Sequence, residues 1–311
     1  MKKIILDVDP GHDDAVAIIL AEAEENIDVL GITVVSGNNS LENTLNNTLK
    51  ICTHLKIDTP VYSGMDMPMV RDRFLSTESI GNVHGETGLD GPVFGEITKK
   101  PEDTHAVNYI IDTIKNSKEK ITVVATGPLS NIGMSLRLEP KIIENIEEIV
   151  IMGGAYGTGN VTPSAEFNII ADPEAAHVVF SSGLPIVMMG LDLTRQAKAT
   201  KEVVDKIGTV GNKASKLIVD LMEFFTKTQK DFFGWEAPPV HDPTTIAYLI
   251  DPSMFEFVEC NVQISLEHGM TYGRTVCDMH HATELPRNTK VATKIDFDKF
   301  WNLVYENVKK Y

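Results

Sequence analysis

Four aspartates, Asp7, Asp9, Asp13 and Asp14, fall within eight positions around the turn Pro10-Gly11. Ile4, Ile5 and Leu6 precede them, and a second apolar face begins at Ala15. The pattern reads as a buried strand ending near Val8, a tight turn, and a helix opening at Asp13 or Asp14. One aspartate there would serve as an N-cap, accepting orphan backbone N–H groups. Four carboxylates so near a buried strand end repel one another unless they are protonated or bridged by a cation. Oxygen-only ligation favours Ca²⁺ or Mg²⁺ over zinc or copper, since no cysteine is near and His12 sits mid-turn. The stretch is no EF-hand loop, because the twelfth position counted from Asp7 is Ile18, where a bidentate Glu belongs.

Two further clusters could carry chemistry. Val240-His241-Asp242-Pro243 reads equally as an acidic site and as a helix start, with Asp242 the N-cap and Pro243 the first helical residue. The glycine-dense run from Gly153 to Asn160 leads into Ala165-Glu166-Phe167-Asn168. Such a run turns tightly or lets a ligand approach backbone. It lacks the Lys-Ser/Thr step or the GxGxxG entry into a helix that a nucleotide phosphate cradle needs.

The elements that must position these residues alternate. Ranges 3–8, 29–36, 60–63, 121–125, 148–152 and 185–189 are predicted strands, and 14–24, 41–55, 105–116, 129–136 and 173–181 are predicted helices. This is the pattern of an α/β fold with an open, mostly parallel sheet flanked by helices, its ligand site at the strand carboxyl ends. Further on, helices are expected over 201–207, 214–233, 244–250 and 300–309, and strands over 255–265 and 290–296. One domain spanning 1–311 is expected, with 81–95 and 195–240 as flaps over the sheet edge.

Composition narrows the partners. Lys and Arg number 28 against 44 Asp and Glu, and a net charge of −16 repels a phosphate backbone, so nucleic acid is not an expected partner. Cys52, Cys260 and Cys277 are too few and too scattered for a disulfide framework or a Cys-type zinc site, which suits a reducing, cytoplasmic location. No segment reaches the length of a membrane span, so no membrane partner is expected.

Asp7-Val8-Asp9-Pro10-Gly11-His12-Asp13-Asp14 resembles the signature of the nucleoside hydrolase family, calcium-dependent N-ribohydrolases of nucleosides. The likeness continues through Gly37-Asn38, His84 to Leu89, Thr126 to Asn131, Met152-Gly153-Gly154, Asn160 to Asn168 and His241-Asp242. It is nearest to the bacterial pyrimidine-preferring members. The resemblance implies that Asp9, Asp14, Asp242 and the Thr126 carbonyl hold Ca²⁺, with Asp9 as general base on the attacking water. It implies that Asp13 and Asn168 grip the ribose diol, that Asn160 and Glu166 meet the 5′-hydroxyl, and that Asn38 lines the reacting face. Met152 and Phe167 fall within the matching segments and are expected at the substrate. His241 would sit beside the base and protonate it. Relatives assemble as dimers or tetramers, so a homo-oligomer is expected.

Phe225, Gln229 and Phe233 recur at i, i+4 and i+8 on one predicted helix face and could reach the base. Pyrimidine-preferring relatives tend to carry Thr, Gln and Tyr there, so only Gln229 matches. Phe225 with Leu217 and Leu221 reads equally as core. His84, in a Gly-rich loop, either touches substrate or orders the loop.

Two other functions share features with ribonucleoside hydrolysis. A Mg²⁺-dependent phosphohydrolase with an aspartyl nucleophile also opens on an apolar strand and Asp-x-Asp, but it needs a downstream lysine for the phosphate. No basic residue joins the later motifs here. A catalytically inactive nucleoside-binding protein would lack the base or a metal ligand, and Asp9, Asp14, Thr126 and Asp242 are all present.

Overall fold

The computed structural model describes residues 1–73 and 83–311. β1 (Lys2–Val8) leads through α1 (His12–Ala23) to β2 (Ile27–Val34), and α2 (Leu41–Leu55) leads to β3 (Val61–Ser63) at one edge of the sheet. After α3 (Ala106–Asn116) the chain returns to lay β4 (Ile121–Ala125) against the free side of β1. α4 (Ser130–Leu138), β5 (Ile146–Met152), α5 (Phe167–Ala171), α6 (Pro173–Phe180) and β6 (Ile186–Met189) continue outward in that direction. A helical segment follows: α7 (Leu191–Thr194), α8 (Lys201–Gly208), α9 (Lys213–Phe233) and α10 (Pro243–Ile250). β7 (Phe255–Cys260) forms the far edge, β8 (Val262–Ile264) and β9 (Thr275–Cys277) make a separate ribbon, β10 (Thr289–Ile295) inserts between β6 and β7, and α11 (Phe297–Val308) follows.

The eight-stranded order is therefore β3-β2-β1-β4-β5-β6-β10-β7, parallel at every step except the β7–β10 edge. Its direction of growth reverses between β1 and β4. Loops leaving the carboxyl ends of those two strands diverge to opposite sides, which opens a crevice there. Asp9 and Thr126 stand at those two ends.

Side chains of β1 alternate between two cores. Ile4 and Leu6 pack with α1, α2 and α9 to α11 on one face, while Ile5 packs with α3, α4 and α6 on the other. α1 has no solvent face: His12 to Ala21 are all buried, because α9, α10 and α11 cover what the sheet leaves open. Two sequence-based boundaries change. The strand expected over 255–265 breaks at Asn261, where the Asn288 side chain takes the Val262 N–H at 2.8 Å and diverts the chain into the ribbon. α5 and α7, at five and four residues, are too short to show a helical repeat, and neither was expected. Of the expected flap over 81–95, Gly81 and Asn82 lie outside the described residues.

Candidate active site

Gly11 is the N-cap of α1, so neither Asp13 nor Asp14 caps the helix from that position. Asp14 instead turns back from the first turn. Its Oδ2 accepts the Gly11 N–H at 2.9 Å, and its Oδ1 accepts the Thr126 hydroxyl at 2.7 Å. Asp13 Oδ2 accepts the His241 backbone N–H at 3.1 Å, which ties α1 to the start of α10. Asp242 occupies the N-cap position of α10 with Pro243 after it, yet its side chain makes no capping bond. Among the described residues, the acids whose oxygens converge within 4.8 Å of one another are Asp13, Asp14 and Asp242, all buried.

Asp9 is not one of those three. It lies beneath them, with Oδ2 accepting the Asn38 N–H at 2.6 Å and the Asn38 carboxamide donating to its backbone carbonyl at 3.2 Å. Its Oδ1 is buried without a partner among the described residues. The backbone crowds it closely: a Cβ on Gly127 would stand 2.6 Å from Oδ1, and one on Gly37 would overlap Oδ2. Asp13, expected at the ribose diol, thus converges with Asp14 and Asp242, two of the expected ligands, while Asp9, also expected as a ligand, stands outside that group. Burial, then mutual repulsion, raises Asp9 and Asp242 well above the carboxylate range and lifts Asp14 to about 6. An all-oxygen, buried, mutually repelling set with the orphaned Asp9 Oδ1 close by fits a hard divalent cation.

Asp7, one residue before Val8 in β1, points to the other face of the sheet. The Thr33 hydroxyl and the Asn131 carboxamide donate to it at 2.5 and 2.8 Å, and burial pushes it up to about 7. It belongs to the support beneath the crevice.

The loop after β5 supplies the next wall. The Asn168 carboxamide donates to the Thr126 carbonyl at 2.7 Å and the Met152 carbonyl at 3.0 Å, bridging the ends of β4 and β5. Glu166 is the N-cap of α5, and its two oxygens accept backbone N–H groups of Asn168, Gly154 and Ile169 at 2.8 to 3.2 Å. Burial still lifts it to about 7 against those donors. Its position is thus set by backbone, and Asn160 likewise accepts the Phe167 N–H at 2.9 Å.

The opposite wall is aromatic. His12, unplaced from sequence, is the first residue of α1 and fully buried. It stacks on Phe224 and Phe225 at 5.4 and 5.2 Å, with Nε2 2.8 Å from the Asp90 carbonyl oxygen and Nδ1 2.9 Å from His84 Nδ1. Burial holds His12 down at about 3 and His84 at about 4. Phe225 proves to be both things it could be: it is buried, and it lines the crevice. Gln229 is 5% exposed with Oε1 unpartnered among the described residues, whereas Phe233 is 49% exposed.

These walls enclose a cavity of about 330 Å³. Of the expected site residues, Asp13, Asn38, His84, Thr126, Met152, Asn160, Glu166, Phe167, Asn168, Gln229, Phe233, His241 and Asp242 line it, and Asp9 and Asp14 lie behind the lining. Sequence reasoning missed Asn39, Val83 and Leu191, and did not single out Gly85 and Val161 within the matching segments. Leu191 follows the end of β6, so the rule that ligands gather at strand carboxyl ends could have found it.

The family model of inosine-uridine preferring nucleoside hydrolases matches residues 4–302. A pyrimidine-specific ribonucleoside hydrolase RihB of Escherichia coli O17:K52:H18 is 54% identical over 310 residues, 100% of this chain and 98% of that protein. Among solved structures, a purine-preferring ribonucleoside hydrolase from Gardnerella vaginalis superposes with a TM-score of 0.92 at 32% identity, covering 99% of this chain and 98% of the other. A plant nucleoside hydrolase, PpNRh1, superposes at 0.90 with 29% identity and 99% coverage of both chains. The chain belongs to the nucleoside hydrolase family and is a ribonucleoside hydrolase, an N-glycosyl hydrolase. Among the described residues, no helix is long and apolar enough to cross a membrane.

Proposed function

We propose that the chain uses Ca²⁺ to hydrolyse ribonucleosides to ribose and free base, with uridine and cytidine preferred. The observation that carries the metal half is the convergence of Asp13 and Asp242, which line the cavity, with Asp14 behind them. Asp14, Asp242 and the Thr126 carbonyl would hold the cation, with Asp9 or Asp13 completing the set. Bound there, it supplies positive charge that orients a sugar diol and polarises a water.

Cleaving an N-glycosidic bond develops oxocarbenium character on the sugar, so an anionic floor stabilises the transition state. Asp9 is the general base. Its Asn38 contact leaves Oδ1 free to take a proton, and close backbone at Gly127 beside Oδ1 and Gly37 beside Oδ2 confines the carboxylate. Asn168, fixed between Thr126 and Met152, is placed to meet ribose, with Asn160 and Glu166 toward the 5′ side. His241, His84 and Gln229 face the base. The pyrimidine preference rests on the full-length likeness to RihB, with Gln229 as the retained polar group of the α9 face. We place the enzyme in the cytoplasm, in nucleoside salvage, as a dimer or tetramer of single-domain chains.

The test is kcat/KM for uridine, cytidine and inosine, with calcium and after exhaustive EDTA treatment. Uridine and cytidine should lead inosine, and EDTA should abolish all three. Inosine in the lead refutes the pyrimidine preference, and undiminished turnover without metal refutes the metal half.

A further inference from the structure

His241 is held by a side chain that the chemistry above does not use. Thr194 is the last residue of α7, and its hydroxyl oxygen lies 2.7 Å from His241 Nδ1. Thr194 is fully buried. A buried hydroxyl needs an acceptor for its one hydrogen, and in a helix the usual one is the carbonyl a turn back. Thr194 makes no such bond; among the described residues its one hydroxyl partner is His241 Nδ1. The hydrogen therefore points at Nδ1, which must be bare to accept it. A neutral imidazole bare at Nδ1 carries its hydrogen on Nε2. Nε2 has no protein partner among the described residues, and the ring lines the cavity.

The turn that holds Thr194 is itself fixed. Asp192 Oδ2 accepts the N–H groups of Tyr156 and Gly157 at 2.8 and 3.2 Å, and Arg195 donates to the Gly159 carbonyl at 2.9 Å. One helical turn thus anchors both the loop carrying Asn160 and the histidine on the base side.

We propose that Thr194 is a positioning residue that locks His241 in the Nε2–H tautomer, so that the cavity offers the leaving base a hydrogen-bond donor. This deepens the reading of the cavity as a nucleoside hydrolase site and rests on it. As the C1′–N bond breaks, its electron pair leaves with the base, and the charge spreads to the pyrimidine carbonyl oxygens. The Nε2–H stabilises that charge by hydrogen bonding and keeps its proton, so on this proposal His241 assists departure of a pyrimidine without the proton transfer that the resemblance implies. The water's oxygen bonds to C1′, its proton passes to Asp9, and the departing base is protonated from solvent.

Thr194→Val removes the hydroxyl at nearly constant shape, and Thr194→Ser restores it. In protein carrying ¹⁵N-histidine, NMR of wild type and of Thr194→Ser is expected to show His241 protonated on Nε2, with Thr194→Val shifting population to Nδ1. With uridine and calcium, Thr194→Val should lose about tenfold in kcat, the scale of one weak transition-state hydrogen bond, with KM little changed. Thr194→Ser should regain most of the loss. Wild-type His241 protonated on Nδ1, or a Val variant with unchanged tautomer, overturns the proposal. So does an equal loss in both variants, which would mark a packing role. The NMR arm needs no turnover, so a wild-type protein inert toward nucleosides would refute the functional reading separately.

Discussion

Asp242 precedes a proline at the start of α10 and still leaves its helix uncapped. The sequence could not decide between a cap and a site, because both need an acid just before Pro243; the direction of the carboxylate decides it. In metal-free protein, Asp242→Asn should therefore cost none of the roughly 1 kcal/mol of a lost cap. It should raise stability instead, since burial and the neighbouring acids push the Asp242 carboxyl well above its ordinary range, and a neutral carboxamide escapes the cost of holding that proton on folding. Uridine hydrolysis should nonetheless fall by about 10²-fold or more, the scale of a lost electrostatic contact. Urea unfolding in EDTA and kcat in calcium measure the two halves, and a destabilised variant would contradict the geometry. Asp9→Asn keeps the shape under Gly37 and Gly127, so substrate affinity should survive while kcat drops by about 10²-fold or more. Near-wild-type turnover would remove Asp9 from the role of base. Asp13 shows the limit of spacing as a guide. Four acids in one turn announce a cluster, but which of them meet depends on how α1 is rotated, and α9, α10 and α11 set that rotation.

Elements whose packing follows their own periodicity were legible, and those set by a neighbour were not. β1, β4 and β5 read as buried runs, and α9, expected over 214–233, begins at Lys213 and ends at Phe233. α5 is capped by Glu166, which accepts two of its N–H groups and a third from Gly154, and β8 turns away because Asn288 takes one. Neither event leaves a repeat in the sequence. On α9 the two phenylalanines, identical in type, should behave differently. Phe225→Ala should cost about 3–5 kcal/mol, as buried aromatic truncations do, because it also removes the face against which His12 and His84 stack. Phe233→Ala should change stability by less than about 0.5 kcal/mol, as exposed substitutions do, and should act through KM for the nucleoside. Chemical unfolding of both variants checks the contrast, and similar losses would show that exposure misjudges Phe233.

Across the whole molecule, the crevice concentrates groups whose ordinary ionisation burial opposes. Asp7, Asp9, Asp14, Glu166 and Asp242 are held above the carboxylate range, and His12, His84 and His241 below the imidazole range. Between about pH 4.5 and 6.5 the unfolded chain has lost the five acid protons and still holds the three imidazole protons. The fold then carries more protons than the unfolded chain, so metal-free stability should fall as pH rises through that window. On the proposed function, calcium would bind the ionised acids and reverse the slope, adding about 2.7 kcal/mol at a hundredfold excess over its Kd. Melting at pH 5 and 6.5, in EDTA and in calcium, tests both signs.

The three converging acids come from opposite ends of the chain, two from the first turn of α1 and one from the start of α10. During synthesis, a nascent chain displaying Asp13 and Asp14 has only a weak, two-point hold on a cation. Loading of the proposed ion would await the emergence of α10, after the β1-to-β6 platform has left the ribosome and before β7, β10 and α11, so the ion would close a platform already laid and could not template it.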